Sequence, residues 1–261
     1  IGNPAFVSPG FPKYANVTAN YISFNYNGIY IENSSPIVEN NTIVVNTDGI
    51  YSYHSAPRIR NNTINDNGDD GIHVIGNDPS GGYARIENNI VIHNSWYGIH
   101  LESSSNNIIA ENNVSWNWWC CYYIAIHGGG IYLEYSSNNT IANNNASNNY
   151  RYGNGIFLHH SPNNAIVNNT ALSNTYDGID VEHSDNNNIT NNTASSNAFS
   201  GIRIDHSNGN IIASNTATSN YIGVRLYYSS TNTIENNNAS LNYMGGITLG
   251  NSNNNTITNN N

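Results

Sequence analysis

Apolar residues recur along this chain as short alternating pairs that follow a glycine. A Gly followed by Ile or Val opens ten units, which are 21 to 32 residues apart. The opening residues are Gly28, Gly49, Gly71, Gly98, Gly130, Gly155, Gly178, Gly201, Gly223 and Gly246. Counted from each Gly as position 0, positions 1 and 3 are apolar, which is the period of a strand with one buried face. Positions 9 and 11, and then 14 and 16, repeat this inward pattern, so the chain predicts three short strands per unit and no helix.

Polar residues keep the same register over the last seven units. Position 6 is always Ser, position 11 is always Ile, and positions 9 and 14 are always Asn. The Asn columns are Asn107, Asn139, Asn164, Asn187, Asn210, Asn232 and Asn255 at position 9, and Asn112, Asn144, Asn169, Asn192, Asn215, Asn237 and Asn260 at position 14. Stacked amides can hydrogen-bond along an axis, and Asn tolerates the left-handed backbone of tight corners. We therefore expect an all-β fold, a right-handed parallel β-helix of about ten rungs over residues 28–261, preceded by a partial rung in residues 1–27.

Two units are longer than the rest, and the second contains most of the Trp residues. The excess predicts loop insertions near residues 76–83 and 116–129. The aromatic residues of the second loop and its surroundings are Trp96, Trp116, Trp118, Trp119, Tyr122 and Tyr123. If exposed, they form an interface or ligand-binding surface; alternatively, the loop packs on its own rungs. The adjacent Cys120 and Cys121 leave three alternatives open: a vicinal disulfide, a bond to another chain, or two free thiols.

Composition and charge exclude some partners. Only seven Lys and Arg residues stand against a net charge of −10, which argues against nucleic acid, and no apolar run is long enough to span a membrane. Twelve Asn-x-Ser/Thr sequons lie off the inward columns and should face solvent, where they could carry glycans in an extracellular protein. They are Asn16, Asn33, Asn40, Asn61, Asn113, Asn138, Asn145, Asn168, Asn188, Asn191, Asn238 and Asn254.

The outward positions 2, 4 and 5 contain the candidate chemistry. Acid–base catalysis would use Asp180, Glu182, His183 and Asp205, with Arg203 or Arg225 neutralising a substrate carboxylate. A second interpretation is a metal site at His160, His183 and His206, although one column does not make ligands converge on a point. The third is a solvated face on which Asp and Arg pair across rungs. Residues 65–71, "NDNGDDG", have the alternating oxygen ligands of a calcium loop but are equally typical of a turn.

The columns "GIxLxxSxNNxIxxNNxA" resemble the repeats of right-handed parallel β-helix proteins of the carbohydrate-binding and sugar-hydrolase group. They are most similar to Asn-rich archaeal and bacterial surface proteins described as NosD-like or periplasmic copper-binding. The resemblance implies the fold for nearly the whole chain, whereas the group includes lyases, epimerases, hydrolases and non-enzymatic surface proteins. Within it, "YDGIDVEHSD" (residues 176–185) resembles the Asp-Pro-His stretch of alginate epimerases, but Val181 replaces the Pro and His183 stands one residue too far from Asp180.

Three functions follow as hypotheses. The last unit stops at position 15, and the segment before Gly28 resembles the closing part of a rung. We expect an extracellular or cell-surface structural protein that assembles with itself end to end into a fibre, sheath or surface layer, with glycans as further partners and no required cofactor. The alternatives are a lyase, C5-epimerase or hydrolase of acidic polysaccharide, and a periplasmic copper-binding module. Calcium or copper would be the cofactor in the metal-binding interpretations.

Overall fold

The chain winds into a parallel β-helix, and three strands per rung form three sheets that run along its axis. The computed structural model describes residues 5–7, 15–118 and 128–261. Consecutive rungs pair in parallel and in register, as in Ile131↔Ile156 and Ile141↔Ile166. The fold predicted from the repeat is therefore confirmed. The described residues form no helix that is long and apolar enough to cross a membrane.

The strands of the three sheets follow one another around each rung. The first sheet contains β1 (Ala5–Val7), β4 (Asn27–Glu32), β7 (Asp48–Tyr53), β10 (Ile72–Ile75), β13 (Tyr97–Glu102), β15 (Gly129–Glu134), β17 (Asn154–His159), β19 (Ile179–Glu182), β21 (Ser200–Asp205), β23 (Ile222–Tyr227) and β25 (Gly245–Gly250). The second contains β2 (Asn16–Thr18), β5 (Ile37–Glu39), β8 (Arg58–Arg60), β11 (Arg85–Glu87), β14 (Ile108–Ala110), β16 (Thr140–Ala142), β18 (Ala165–Val167), β20 (Asn188–Thr190), β22 (Ile211–Ala213), β24 (Thr233–Glu235) and β26 (Thr256–Thr258). The third contains β3 (Tyr21–Ser23), β6 (Thr42–Val44), β9 (Thr63–Asn65) and β12 (Ile90–Ile92).

The third sheet narrows towards the C-terminal rungs. After β12, its position is held by single bridges such as Asn145↔Thr170 and Thr193↔Thr216. The early strands offer Ile or Val to the core, whereas the later rungs place the small Ala146 or Ala171 there. Because a smaller side chain brings the backbone closer to the axis, the late rungs have room for a corner rather than a full strand.

Stacked apolar columns fill the interior. Ile156, Leu158 and Ile166 have no solvent exposure, and their counterparts in neighbouring rungs belong to the same core. The Gly at position 0 is required by this packing, because a Cβ on Gly98 would lie 2.2 Å from Val114 Cγ1 and 3.0 Å from the Gly130 carbonyl oxygen. Full burial of each Ile contributes about 1.5–3 kcal/mol, so the columns supply the main driving force for folding.

The Asn columns form hydrogen-bonded ladders at the corners of the coil. Asn144 donates its backbone N–H and its side-chain Nδ2 to Asn169 Oδ1, at 2.9 and 3.0 Å, and Nδ2 also donates to the Ile109 carbonyl at 2.9 Å. Each buried amide thus satisfies backbone groups that the turn leaves without a strand partner. Position 9 forms a similar ladder, in which the Asn139 backbone N–H donates to Asn164 Oδ1.

A third ladder occupies a column that the sequence reading did not identify. Its members are Asn25, Asn46, Asn67, Asn94, Asn117, Asn149, Asn174, Asn197, Asn220 and Asn242. The ladder passes through the expected second insertion at Asn117, and Trp118 forms a bridge with Tyr150 of the next rung. The regular rung therefore extends through Trp118, further than the expected loop boundary at residue 116.

Candidate functional site

The outer face of the first sheet holds most of the charged and aromatic side chains that approach one another. Side chains at positions 2 and 4 of each rung point to this face because positions 1 and 3 point into the core, and position −1 shares the face because the Gly at position 0 also points into the core. The same columns contain two groups of ionisable residues, one near each half of the sheet. We name them the histidine cluster (Asp70, His73, His100 and Glu102) and the arginine cluster (Asp180, Glu182, Arg203 and Asp205).

The arginine cluster brings together four of the six residues predicted for acid–base catalysis. Arg203 lies on β21 and donates Nη1 to Asp180 Oδ2 at 3.0 Å. It also contacts Glu182 through Nη1 and Asp205 through Nη2. One guanidinium therefore pairs with three carboxylates from two rungs, which is the cross-rung pairing of the third interpretation.

Burial changes the protonation chemistry beneath this guanidinium. Asp180 is 1% exposed, and desolvation together with the nearby Asp177 raises its pKa, although Arg203 opposes the shift. Burial likewise raises the pKa of Asp177 to about 6. Asp177 Oδ1 accepts the Ser200 backbone N–H, while Oδ2 is buried with no hydrogen-bond partner among the described residues. Two buried carboxyls that repel one another therefore lie next to a single cation.

The other two catalytic candidates lie outside the cluster. His183 belongs to a corner column in which His160, His183 and His206 stack face to face with ring centroids 5.0 Å apart. Arg225 lies over the Tyr227 ring at 5.5 Å. The corner imidazoles stack in parallel along the axis. Among the described residues, they belong to no group of three or more ligand atoms that could surround one metal ion. The structure thus places the predicted metal residues in one file, and a metal site there stays a prediction.

The histidine cluster was not predicted from the sequence. His100 Nδ1 lies 3.0 Å from Asp70 Oδ2, and His73 Nδ1 lies 3.5 Å from the same oxygen. The two imidazoles stack with centroids 4.2 Å apart, and His73 Nε2 lies 3.2 Å from Glu102 Oε2. His100 is 9% exposed, and its Nε2 is buried with no hydrogen-bond partner in the part of the chain that the structure describes. One carboxylate oxygen therefore faces two imidazole nitrogens.

Further carboxylates border this cluster. Asp48, Asp69 and Asp70 bring carboxylate oxygens within 4.8 Å of one another. Burial and the neighbouring Asp70 raise the pKa of Asp48 to about 7 and that of Asp69 to about 6. Burial and the adjacent His100 lower the pKa of His73. Asp69 and Asp70 come from the predicted calcium stretch, so the turn does place its carboxylates together; calcium binding by this stretch stays a prediction.

Aromatic rings separate the two clusters. Tyr97, Tyr132 and Phe157 form a buried group to which Trp96 is packed. Tyr132 stacks on Phe157 with centroids 5.0 Å apart, and His100 lies 4.9 Å from Tyr132. These rings exclude water from the middle of the face, so each cluster has its own electrostatic environment.

A second set of aromatic side chains lies along the edge where the chain enters the first sheet. We name Tyr152, Tyr176, Phe199, Tyr221 and Tyr243 the aromatic row. Tyr176 and Phe199 lie 4.7 Å apart, and Tyr221 stacks on Tyr243 at 5.5 Å. Tyr152 and Tyr243 are 68% and 86% exposed, respectively. The row borders the arginine cluster and is therefore an exposed apolar surface beside a polar one.

The predicted aromatic loop is described only in part. Trp116 and Trp118 are exposed, Trp116 lies 5.4 Å from Tyr150, and the Arg151 guanidinium lies over Trp118. Trp96 is half-buried, so it does not share the exposure of the other two. Trp119, Cys120, Cys121, Tyr122 and Tyr123 lie outside the described residues. The twelve sequon asparagines are exposed or half-buried, as their columns predict, and glycan attachment stays a prediction.

Comparisons with known proteins agree with this architecture. The model of the family described as "Periplasmic copper-binding protein (NosD)" matches residues 121–238 and 199–261, together more than half of the chain. The model "Right handed beta helix region" matches residues 3–115. No curated protein matches the chain.

Solved structures share the fold at low sequence identity. The A-module of the mannuronan C-5 epimerase AlgE6 from Azotobacter vinelandii aligns with a TM-score of 0.72 and 17% identity, covering 94% of this chain and 75% of that one. A double mutant of the periplasmic alginate epimerase AlgG aligns with a TM-score of 0.67 and 17% identity, covering 95% and 73%. The enzymatically active domain of tailspike protein 2 from bacteriophage CBA120 aligns with a TM-score of 0.65 and 14% identity, covering 94% and 42%. At these identities the likeness shows the fold alone.

The donor atoms of the histidine cluster fit the copper in the family description. Imidazole nitrogen suits copper, and the cluster brings two imidazoles and one carboxylate within 4.8 Å of one another. Asp70, His73 and His100 would hold the ion there. The corner column does not fit in the same way: among the described residues its stacked rings share no carboxylate oxygen, whereas His73 and His100, which are also stacked one rung apart, both face Asp70 Oδ2.

The register of the rungs, the Asn ladders and the family match lead to one conclusion. This chain belongs to the right-handed parallel β-helix proteins of the NosD family.

Proposed function

We propose that this chain is a secreted β-helix protein that binds a polysaccharide along the outer face of its first sheet. The observation that carries the proposal is the aromatic row, which runs parallel to the axis beside the arginine cluster. Exposed aromatic rings in a line offer successive apolar surfaces on which the C–H faces of sugar rings pack.

The length and exposure of the row suit a polymer better than a small sugar. The row follows five consecutive rungs, which at about 4.8 Å per rung gives a surface of roughly 20 Å. Phe199 and Tyr221 are 45% and 43% exposed in the middle of the row. A half-exposed aromatic side chain still presents apolar surface to water, and covering that surface with a ligand would be favourable by about 25 cal/mol per Å².

The arginine cluster and Arg225, which lie beside the aromatic row, indicate the class of polymer. Arg203 already pairs with three carboxylates, and Arg225 lies over an aromatic ring. Arg203 is therefore not available to neutralise a sugar carboxylate, and the three carboxylates around it outnumber the one further guanidinium, that of Arg225, so this surface disfavours an acidic polysaccharide. Glu182 is half-exposed and contacts Arg203 through Oε1, so its Oε2 can accept a hydrogen bond from a sugar hydroxyl. A neutral polysaccharide therefore fits this surface better than a polyuronate.

The structural relatives support polysaccharide binding in general terms. Two of them are named as epimerases of mannuronan or alginate, and the alginate epimerase is periplasmic. The NosD family is also described as periplasmic. These properties belong to those proteins, and they support a secreted location and a carbohydrate ligand for this chain.

Affinity electrophoresis tests the proposal with soluble polymers in the gel. We expect a neutral β-glucan or mannan to retard the wild-type protein and alginate to retard it less. The variant Tyr221→Ala/Tyr243→Ala should migrate without retardation. Tyr21→Ala is the matched control, because Tyr21 is 73% exposed on β3 of the third sheet, away from the row. If no polymer retards the wild type, or if Tyr21→Ala abolishes retardation as fully as the double variant, the proposal is wrong.

The other hypotheses stay predictions. Acid–base catalysis would have to use Asp180 beneath its ion pair with Arg203, and activity lost in Asp180→Asn on any uronate polymer would support it. End-to-end assembly predicts long filaments in electron micrographs of the purified protein. Short rods of one length at every concentration would contradict assembly without affecting polysaccharide binding.

A further inference from the structure

We propose that the histidine cluster is a binding site for one divalent transition-metal ion, with Asp70 Oδ2, His73 Nδ1 and His100 Nδ1 as ligands. The inference does not rest on polysaccharide binding, since the cluster and the aromatic row occupy different rungs of the sheet. These three ligands differ from the metal residues predicted from the sequence, which are the corner histidines.

Two of the three distances between the donor atoms are close to those of a chelated ion. In a site with metal–ligand bonds of about 2.0–2.1 Å and angles between about 90° and 110°, neighbouring donors lie roughly 2.9–3.4 Å apart. The two Nδ1 atoms lie 3.0 and 3.5 Å from Asp70 Oδ2. Both imidazole edges already face the same oxygen, and because the rings are stacked with an interplanar angle of 9°, at least one ring must tilt for both Nδ1 lone pairs to converge on an ion.

Neighbouring groups hold two of the three ligands, Asp70 and His73, in this orientation. Asp70 Oδ1 accepts the Tyr97 backbone N–H at 2.9 Å, which leaves Oδ2 directed at the imidazoles. His73 Nε2 lies 3.2 Å from Glu102 Oε2, so Nδ1 is the nitrogen left for a metal. A carboxylate on the far nitrogen is the usual outer partner of a metal-binding His, because it fixes the ring orientation and raises its basicity.

The electrostatic environment favours a cation. Asp48 and Asp69 lie beside Asp70, and no Lys or Arg forms an ion pair with these carboxylates or with Glu102 within residues 15–118 and 128–261. Mutual repulsion between buried carboxylates is costly. A divalent cation would relieve it, which is the role that Arg203 performs in the arginine cluster.

The donor set selects the kind of metal. Two imidazole nitrogens with one carboxylate oxygen suit Cu²⁺ and Zn²⁺, whereas Ca²⁺ prefers an all-oxygen shell. For such a site the intrinsic affinity order places Cu²⁺ above Zn²⁺. We expect Cu²⁺ to bind more tightly than Zn²⁺ and Ca²⁺ not to compete.

Cu²⁺ titration by calorimetry, with electron paramagnetic resonance of the complex, tests the site. All proteins carry Cys120→Ser and Cys121→Ser, so that thiols neither bind nor reduce the copper. We expect one Cu²⁺ per chain with imidazole nitrogen coupling in the spectrum. Asp70→Asn and His73→Gln each remove a ligand and should lower the affinity by more than the roughly 10–100-fold that loss of an outer partner costs. Circular dichroism confirms that each variant is folded.

His183→Gln is the matched control, because His183 is an exposed imidazole stacked in the corner column. It should bind Cu²⁺ as the parent protein does. The proposal is overturned if the parent binds no Cu²⁺ at micromolar concentration, or if its spectrum lacks nitrogen coupling. It is also overturned if His73→Gln retains the parent affinity while His183→Gln loses it.

Discussion

The two clusters lie on the same face of the first sheet and differ in whether they contain a permanent cation. In the arginine cluster, Arg203 at position 2 neutralises carboxylates from two rungs. In the histidine cluster, position 2 holds His73 and His100, whose pairing with Asp70 depends on their protonation. The first cluster therefore contains its own cation, while the second presents carboxylates and imidazoles to one. The regular coil aligns the residues of successive rungs, and the residue at position 2 determines which ligand the aligned residues can bind.

The aromatic rings between the clusters make this comparison testable by independent mutations. Three rung steps separate β13 from β19, about 14 Å along the axis. Substitutions that far apart without shared partners have additive effects on stability. Each cluster can therefore be altered while the other serves as its reference.

Removing the cation from the arginine cluster should have the largest effect. Arg203→Met leaves Asp180, Glu182 and Asp205 without their partner, and we expect the free energy of unfolding to fall by about 3–5 kcal/mol. Urea unfolding measures the change. The control is Arg225→Met, which removes a guanidinium that lies over a ring, and it should cost less than about 1 kcal/mol. Equal losses in both variants would show that the ion pairs do not hold this face together.

The buried carboxyl beside Arg203 predicts a pH dependence. The pKa of Asp177 is raised from 3.8 to about 6 in the folded protein, so the folded state binds a proton more tightly than the unfolded state. Stability is greatest below the unfolded pKa and falls as the pH rises from about 4 to 6. The loss is on the order of 3 kcal/mol.

Asp177→Asn should reduce the slope in urea unfolding between pH 4 and 6 by the Asp177 contribution, because Asp48, Asp69 and Asp180, whose pKa values are also raised, keep theirs. Glu111→Gln, which changes an exposed acidic residue at a corner of the coil, is the control and should leave the slope unchanged. A wild-type protein that becomes more stable across this range would contradict the assigned direction of the Asp177 pKa.

Copper should stabilise the histidine cluster by mass action. At a free Cu²⁺ concentration about 100 times the dissociation constant, binding to the folded state adds about 2.7 kcal/mol to the free energy of unfolding. Thermal unfolding of the cysteine-free protein measures the shift in Tm. We expect no shift in His73→Gln at the same copper concentration. The same stabilisation in both proteins would locate the copper elsewhere.

A smaller effect should come from the outer carboxylate of the histidine cluster. Glu102→Gln weakens the partner of His73 Nε2, and we expect Cu²⁺ affinity to fall about tenfold, or roughly 1.4 kcal/mol. Calorimetry measures it. Glu87→Gln, which removes one charge from the Arg85 pair on the second sheet, should leave the affinity unchanged. A similar decrease in both variants would indicate only a general charge effect.

Much of the fold follows from the repeat, and the position of the clusters does not. Columns that recur at one spacing, such as Ile141 and Asn144, predict both the rungs and two ladders, because stacked rungs place equal positions together. The third ladder has an equally regular signal, Asn at position 19 in six consecutive units, but it lies where the rungs differ most in length.

The histidine cluster escaped prediction for a related reason. The columns are regular only from Gly98, whereas Asp70 and His73 belong to the unit opened by Gly71, which carries an insertion. Asp70 also precedes the Gly, and only the structure shows that position −1 shares a face with position 2. The pairing of Arg203 with three carboxylates was foreseeable as cross-rung pairing. The burial of Asp180 was not, because the covering side chains come from neighbouring rungs.

One substitution tests the central comparison directly, by giving the histidine cluster the cation that the other cluster has. His73 already contacts both Asp70 and Glu102, so His73→Arg can keep both contacts as permanent ion pairs. We predict that, in the cysteine-free background, this variant is at least as stable as its parent without metal and gains no thermal stability from Cu²⁺. A folded His73→Arg protein that Cu²⁺ stabilises as strongly as the parent would contradict the account.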